Sequence, residues 1–240
     1  MMRLDKMLSN LGYGSRKDVK LLIRKGHVRI NDTVIKKDDF RFDPEIEKVY
    51  VDDYLVQYKP LVYIMMNKPQ GVISATEDTY HQTVVDLLDG YDHYKVFPVG
   101  RLDKDTEGLM LLTNDGMLAR ELLFPSKQTY KKYYAKLASE CRKDDVDKFE
   151  KGIKIDTGYI CKPAILHIIG EKEAEVLITE GKFHQVKKMF QAIGNEVLYL
   201  KRLEMKGLKL DPTLKCGEYR ELTPDEEIIL GIRELHDKKK

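Results

Sequence analysis

The stretch PVGRLDKDTEGLMLLTNDG, residues 98–116, decides how the larger part of the chain folds. It places five charged side chains just before the apolar run Leu109–Leu112. Charged residues this dense beside an apolar strand predict a loop at the rim of a packed sheet, where functional sites concentrate. An extended backbone would turn Asp103, Asp105 and Glu107 to one side. By pattern alone, these carboxylates suit a magnesium ion, a nucleophile, a general base or a solvated acidic turn.

The size and composition are those of a globular protein of one or two domains. The 240 residues are 42% hydrophobic and 34% charged, without an apolar run that approaches a membrane span or the core of a secretory signal. The three cysteines are far apart and form no CxxC pair, which predicts neither a disulfide framework nor a zinc site and suits a reducing cytoplasm. The six histidines contain no HExxH motif, so we expect no histidine metal site.

The net charge of +2 conceals a basic N-terminal segment. Residues 1–37 hold ten Lys or Arg against three Asp, a net charge of +7, whereas residues 38–58 hold two bases against seven acids, a net charge of −5. A local excess of this kind indicates a polyanionic partner such as nucleic acid, although a solvated surface can also produce it.

The N-terminal residues predict a compact module. Apolar spacing predicts a helix over residues 4–11, and Ser15 with Asp18 begins a second helix that ends at Gly26. Alternation predicts a strand at 28–30. The sequence of residues 3–32, RLDKMLSNLGYGSRKDVKLLIRKGHVRIND, resembles the S4 RNA-binding domain. The resemblance implies that the two helices present a basic face to RNA, with contacts at Arg3, Lys6, Ser15, Arg16, Lys17 and Arg29.

The remaining residues predict an α+β domain with a mixed or antiparallel sheet, because single helices are scattered among strands. Residues 62–66 predict a buried strand, 67–71 a turn and 83–88 a short helix. Thr223-Pro224-Asp225-Glu226 is a capping box with proline at the first helical position. We expect an RNA-binding domain at 1–58, a catalytic domain at 59–236 and a basic tail at 237–240.

Two further clusters in this domain have residues suited to a nucleotide. TYKKYYAKLA, residues 129–138, interleaves tyrosines with lysines, which can stack on bases and meet phosphates, although alternate tyrosines can equally face a core. EGKFHQVKKM, residues 180–189, puts lysines at the start of a helix, where anions bind. A histidine in such a place, here His184, is more often structural than catalytic.

Several phrases in order identify a family resemblance that spans nearly the whole chain. NKPQGVISAT (67–76), the stretch at 98–116, EGKFHQVKKMF (180–190), LKRLEMKGLKL (200–210) and GEYRELTPDE (217–226) resemble the pseudouridine synthases of the ribosomal small-subunit type. The resemblance implies an enzyme that isomerises uridine to pseudouridine in rRNA, with no cofactor and no metal.

Residue by residue, the resemblance makes Asp103 the catalytic residue, which attacks ribose C1′ or assists formation of a glycal. The family tyrosine of the K-x-Y pattern is assigned to Tyr134, with Tyr133 as the alternative one position away. Lys187, where many relatives have arginine, pairs with the catalytic carboxylate, and Asp105 and Glu107 become structural or solvated. Residues that bind the substrate are Arg101 and Leu200.

We therefore predict isomerisation of uridine in rRNA. HQTVVDLL (81–88) and the short C-terminus favour the 16S small-subunit RNA. The alternatives are a 23S rRNA enzyme of the same family and a non-catalytic rRNA-binding assembly factor. The expected partner is rRNA in a partly assembled small subunit, and the expected protein is a cytoplasmic monomer that contacts no membrane.

Overall fold

The computed structural model describes Met1–Pro44, Ile46–Val56 and Tyr58–Asp237, so the basic tail predicted at 237–240 lies outside the described residues except for Asp237. The chain divides into two compact units. The first comprises Met1–Val62 and Gly90–Lys95, and the second comprises Tyr63–Asp89 and Val96–Lys240.

In its described residues, the first unit contains two α-helices and six short strands. These are β1 (Met2–Arg3), α1 (Leu4–Asn10), α2 (Arg16–Arg24), β2 (Val28–Ile30), β3 (Thr33–Val34), β4 (Arg41–Phe42), β5 (Val49–Val51) and β6 (Tyr54–Leu55). β1 pairs with β4, and the other four strands form an antiparallel sheet in the order β3-β2-β5-β6. A short 3-10 turn occupies Asp92–Tyr94.

Local signals explain why these helices form where they do. Ser15 is the N-cap of α2, where its side chain and that of Asp18 make the reciprocal bonds of a capping box. Leu4, Leu8 and Val19 are fully buried and pack in one apolar cluster with the strands. The two helices and the strand at 28–30 predicted from the sequence are therefore confirmed.

The second unit is built on one nine-stranded sheet. Its elements are β7 (Tyr63–Lys68), β8 (Phe97–Pro98), β9 (Glu107–Thr113), α3 (Gly116–Leu123), a 3-10 turn at Pro125–Lys127, β10 (Lys131–Leu137), α4 (Lys143–Lys151), β11 (Ile165–Gly170), β12 (Glu173–Ile178), α5 (Gln185–Ala192), β13 (Val197–Met205), β14 (Leu208–Lys209), β15 (Tyr219–Glu221), α6 (Pro224–Leu230) and α7 (Ile232–Asp237). The strand order is β11-β12-β10-β13-β9-β7-β15, with β14 on β13 and β8 on β9. β9 and β13 are parallel and the other pairs are antiparallel, so the predicted α+β fold with a mixed sheet is confirmed.

The parallel pair depends on a glycine at the start of β9. Gly108 has φ 103°, and a Cβ atom there would lie 2.2 Å from the carbonyl oxygen of Arg202 on β13. Only glycine permits both this conformation and this approach. The close contact fixes where β9 meets β13, and thereby where the charged loop before β9 enters the sheet.

The helix predicted over 83–88 is wrong. Thr83 forms an isolated bridge with Ile73, and the Thr83 and Asp86 side chains bond to each other's main-chain N–H groups at 3.2 and 2.8 Å without a helix following. Pairing with the neighbouring loop takes up the backbone that a helix would need. In the described residues, every helix is too short or too polar to cross a membrane.

Candidate active site

The loop between β8 and β9 is held from beneath by one buried lysine. Lys68, the last residue of β7, is fully buried, and its Nζ donates to the carbonyl oxygens of Pro69, Asp103 and Thr106 at 3.0, 3.1 and 2.9 Å. The carbonyl of Lys104 lies 3.5 Å away. Burial lowers the pKa of Lys68 to about 8, against the opposing attraction of Asp105 and Asp103. The loop therefore closes around this ammonium through its main chain.

A second set of main-chain bonds fixes the same loop from the side. Ser74 Oγ accepts from the Leu102 N–H at 2.9 Å and donates to the Leu102 carbonyl at 2.8 Å. The Gly71 N–H donates to the Lys104 carbonyl at 2.8 Å. These bonds engage the backbone of the loop, so the side chain of Asp103 remains available to other groups.

The Asp103 carboxylate faces two cationic or ionisable groups on the α5 segment. Its Oδ2 lies 3.3 Å from Lys187 Nζ, and its Oδ1 lies 3.6 Å from His184 Nε2. Lys187 is a first-turn residue of α5, and its Nζ also donates to Asp105 Oδ1 at 2.5 Å. One lysine thus bridges two carboxylates, and a point charge can do this without the planar fork of an arginine.

Asp105 and Glu107, expected from the sequence to be structural or solvated, each have a defined partner. Burial raises the pKa of the Asp105 carboxyl, but the hydrogen bond and the positive charge of Lys187, with weaker contributions from the main chain and His184, together hold the pKa below its usual value. Glu107 accepts a hydrogen bond from Tyr199 at 2.6 Å. Within the described parts of the chain, no group of three His, Cys, Asp or Glu side chains could hold a metal ion.

The start of α5 is shaped by a left-handed residue and a buried amide. His184 is the N-cap with φ 54°, and its ring stacks on Phe183 with 3.8 Å between centroids. Gln185 donates to Glu180 at 2.9 Å and accepts from the Lys182 N–H at 2.8 Å. This network fixes the turn before the helix and so sets the position of His184 beside Asp103.

Asp103 lines two concave spaces on the same side of the sheet. A small cavity of about 60 Å³ is bounded by Asp103, Arg101, Tyr133, His184 and Leu200, among others. A larger one of about 810 Å³ also includes Asp103, Arg101 and His184 in its wall. The larger volume is within the range of sites that take a drug-sized ligand, which is also the size of a nucleotide.

The alternation of β10 decides which tyrosine faces this space. Tyr133 is 7% exposed, pairs with Arg202 on β13 and lines the small cavity. Tyr134 points to the other face, where its ring meets that of Tyr199, and burial and Glu173 raise its pKa to about 12. The structure therefore places Tyr133, the alternative one position away, and not Tyr134 at the small cavity, because successive strand residues face opposite sides. Which of the two serves the reaction stays a prediction. Lys131-Lys132-Tyr133 fits the same pattern.

The structure brings four of the sequence-derived residues together and adds others. Asp103, Lys187, Arg101 and Leu200 meet at the small cavity or at the carboxylate. His184, which the sequence suggested to be structural, and Lys68, which the sequence placed only in a turn, also belong to the site. Only tertiary contacts reveal them, because their partners are distant in the chain.

The six residues expected to bind RNA in the first unit fall into two groups. Lys6, Arg16 and Lys17 are exposed. The others have partners within the unit: Arg3 forms two bonds with the Asp5 carboxylate at 2.8 and 2.9 Å, Ser15 caps α2, and Arg29 lies 3.5 Å above the Tyr50 ring and 3.2 Å from Asp53. Of the six, Lys6, Arg16 and Lys17 are therefore the ones whose exposed charge has no ion-pair partner among the described residues.

A mixed sheet with a carboxylate at its rim, beside a cavity large enough for a nucleotide, suits an enzyme that acts on a nucleotide. The RNA pseudouridylate synthase model matches residues 62–192, and the S4 domain model matches residues 2–45. The chain belongs to the RNA pseudouridylate synthase family and has an S4 domain at its N-terminal end.

Individual relatives cover almost the whole chain. An uncharacterized RNA pseudouridine synthase, YtzG of Bacillus subtilis, is 51% identical over 96% of this chain and 98% of its own length. The ribosomal small subunit pseudouridine synthase A of Escherichia coli is 37% identical over 94% and 98%. A solved pseudouridylate synthase structure superposes with a TM-score of 0.68 at 33% identity, over 96% of this chain and all of that one.

Proposed function

We propose that this enzyme isomerises uridine to pseudouridine in the rRNA of the small ribosomal subunit, with Asp103 as the group that acts on the ribose. The observation that carries the proposal is the Asp103 carboxylate at the cavity wall, 3.3 Å from Lys187 and 3.6 Å from His184. The target RNA is proposed from the relative in Escherichia coli, which is named for the small subunit.

The chemistry needs the uridine to leave its helical stack, because the glycosidic bond is inaccessible inside a duplex. A carboxylate oxygen of Asp103 then bonds to C1′ as the N1–C1′ bond breaks, and uracil leaves with the electron pair. After rotation, C5 bonds to C1′ as the bond to the Asp103 carboxylate breaks, C5 loses its proton and N1 takes one up. In the alternative glycal route, Asp103 instead removes the 2′ proton as uracil leaves, and C2′ takes a proton back when C5 bonds to C1′. Both routes use an ionised carboxylate, which Lys187 stabilises.

The other side chains have roles that follow from their positions. Tyr133 and Leu200 give the small cavity an aromatic and an aliphatic wall against which a flat base can stack. Arg101 is exposed at the rim of both spaces, where it can occupy the gap left by the extruded nucleotide. The departing uracil carries negative charge, which the cationic side chains around the cavity stabilise. We further propose that the enzyme acts as a cytoplasmic monomer on a partly assembled small subunit.

Release of tritium from RNA labelled at C5 of uridine tests the proposal, because isomerisation exchanges this hydrogen while leaving the mass of the RNA unchanged. We expect release from 16S RNA or its assembly particles and a decrease of more than about 10³-fold for Asp103→Asn. Asp144→Asn, an exposed change on α4, is the matched control and should behave as the wild type. RNA affinity should be nearly unchanged in both variants.

The other outcomes point to specific alternatives. Release from 23S RNA alone would move the target to the large subunit. Absence of release from either RNA or from assembly particles, with binding intact, would indicate a non-catalytic assembly factor. Normal turnover by Asp103→Asn would remove Asp103 from the mechanism.

A further inference from the structure

The wall of the 810 Å³ cavity contains a buried arginine, Arg202. Arg202 on β13 is 1% exposed, and its Nε donates to the Leu109 carbonyl at 2.8 Å. Its Nη2 is buried and has no hydrogen-bond partner. Among the described residues, no acidic side chain forms an ion pair with Arg202. A buried guanidinium that lacks a counter-charge is costly to keep.

A second cation lies on the same wall. Lys131 of β10 faces the same side of the sheet as Tyr133, lines the same cavity, and donates to the Thr129 carbonyl at 3.1 Å. Burial and the positive charge of Arg202 lower the pKa of Lys131 to about 8. The two cations therefore lie close enough on one face of the sheet for the charge of Arg202 to disfavour the protonated form of Lys131.

The acidic group whose charge acts on Lys131 does not neutralise this pair. Glu180 attracts Lys131, but only as the weakest of the influences on it. The carboxylate oxygens of Glu180 already accept from the Lys162 N–H and Gln185 at 2.9 Å and from the Tyr159 hydroxyl at 2.8 Å. The remaining charge at Arg202 and Lys131 therefore faces the cavity.

We propose that Arg202 and Lys131 form a subsite for a phosphodiester group of the RNA strand that brings the uridine to Asp103. A phosphodiester is the one anion that every nucleotide of the substrate carries, and a planar guanidinium with an adjacent ammonium suits its oxygens. The cavity that contains the two cations also contains Asp103, so a bound phosphate would position the ribose beside the carboxylate. This inference rests on the proposed function and specifies how its substrate is held.

Salt dependence of RNA binding tests the subsite without any need for turnover. The probe is a short fluorescein-labelled oligouridylate, with binding to the full-length chain followed by anisotropy across a series of KCl concentrations. An Arg16→Gln/Lys17→Gln background reduces the contribution of the N-terminal face. Lys131→Gln is compared with Lys132→Gln, because Lys132 is adjacent in sequence but faces the other side, where it pairs with Glu175 at 2.6 Å.

We expect Lys131→Gln to reduce the slope of log K against log [KCl] by about 0.7, the value for one lost phosphate contact on a single strand, and Lys132→Gln to leave it unchanged. Arg202→Lys keeps the charge but loses the fork, so the slope should be retained while affinity falls about tenfold. A strand with neutral methylphosphonate linkages should bind equally to the wild type and to Lys131→Gln.

Coincident slopes and affinities for Lys131→Gln and Lys132→Gln would overturn the subsite. If Arg202→Lys does not fold, Lys131→Gln alone decides. Because the readout is binding, the subsite and the proposed reaction fail separately: tritium release with an unchanged slope refutes only the subsite, and a reduced slope without release refutes only the reaction.

Discussion

Replacing Lys68 with methionine tests whether one buried cation positions the loop that contains Asp103. The change keeps the length of the side chain but removes the donor that lies 3.0, 3.1 and 2.9 Å from the carbonyls of Pro69, Asp103 and Thr106. A hydrogen bond from a charged group contributes about 1.5–3 kcal/mol, whereas removing a buried ammonium eliminates a desolvation penalty of several kcal/mol. The balance predicts a loss of about 2–4 kcal/mol in the free energy of unfolding.

The same change should reduce turnover by the protein that remains folded. A displacement of about 1 Å at a catalytic group can lower the rate about 10²-fold. Urea unfolding followed by circular dichroism gives the stability, and single-turnover tritium release under native conditions gives the rate. Lys151→Met, at an exposed position on α4, is the control and should change neither quantity. A stability loss with full turnover by the folded protein would refute the positioning role.

The pH dependence of Lys68 gives an independent check, because its effects on stability and turnover differ in sign. The pKa of Lys68 is about 8 in the folded protein and 10.5 ordinarily, so between these values the unfolded chain binds more protons. The contribution of Lys68 to stability therefore rises with pH across this window. Turnover should fall above pH 8, because the neutral amine no longer makes charge-assisted bonds to the loop. The Lys131→Gln variant removes the other lysine whose pKa is about 8, so that the pH effect that remains can be assigned to Lys68.

Three other variants test the remaining parts of the molecule. Tyr133→Ala should lower tritium release about 10²-fold and Tyr134→Ala only a few-fold, because only Tyr133 lines the cavity; the reverse order would restore the original assignment. Neutralising Arg16 and Lys17 together should reduce the salt slope of binding to structured RNA by about 1.5, and an unchanged slope would exclude this face as the anchor. His236→Ala removes a 2.7 Å bond to the buried Asp115 carboxylate and should cost about 1 kcal/mol in urea unfolding at neutral pH. Burial raises the pKa of Asp115, but hydrogen bonds from His236, Tyr63 and the main chain together hold it below 3.8. The stability that Asp115 contributes should therefore be present above that pH and be lost as the pH falls below it. This loss of stability in acid should be smaller in His236→Ala.

The elements that could be predicted from sequence are those whose signals are local. The helix begun by Ser15 and the strand at Val28–Ile30 follow from capping and alternation within a few residues, and both are present. The helix predicted over 83–88 failed because the reciprocal Thr83 and Asp86 bonds resemble a capping box, while the pairing of Thr83 with Ile73 is non-local.

The site shows the same division between local and non-local information. Asp103 could be found from the sequence motif around it. The face of the strand on which Tyr133 lies could not be found in this way, because in KKYY either alternate pair of side chains could face the cavity. The phase is set by pairing with β13, where Tyr133 lies opposite Arg202. The partners of Lys68 in the charged loop, Asp103 and Thr106, lie 35 and 38 residues away, so no local pattern could distinguish Lys68 from an ordinary turn lysine.

The two fully buried cations that the structure describes in the second unit, Lys68 and Arg202, differ in what satisfies them, and the difference separates a charge used by the fold from a charge available to RNA. Lys68 is surrounded by main-chain carbonyls, so its charge is used in building the loop. Arg202 has one carbonyl partner and an unpaired Nη2, so its charge remains for a ligand. If both charges served only the fold, Arg202→Lys would change unfolding and RNA binding in parallel. A loss of affinity for oligouridylate at unchanged stability would show that the second cation acts on the substrate.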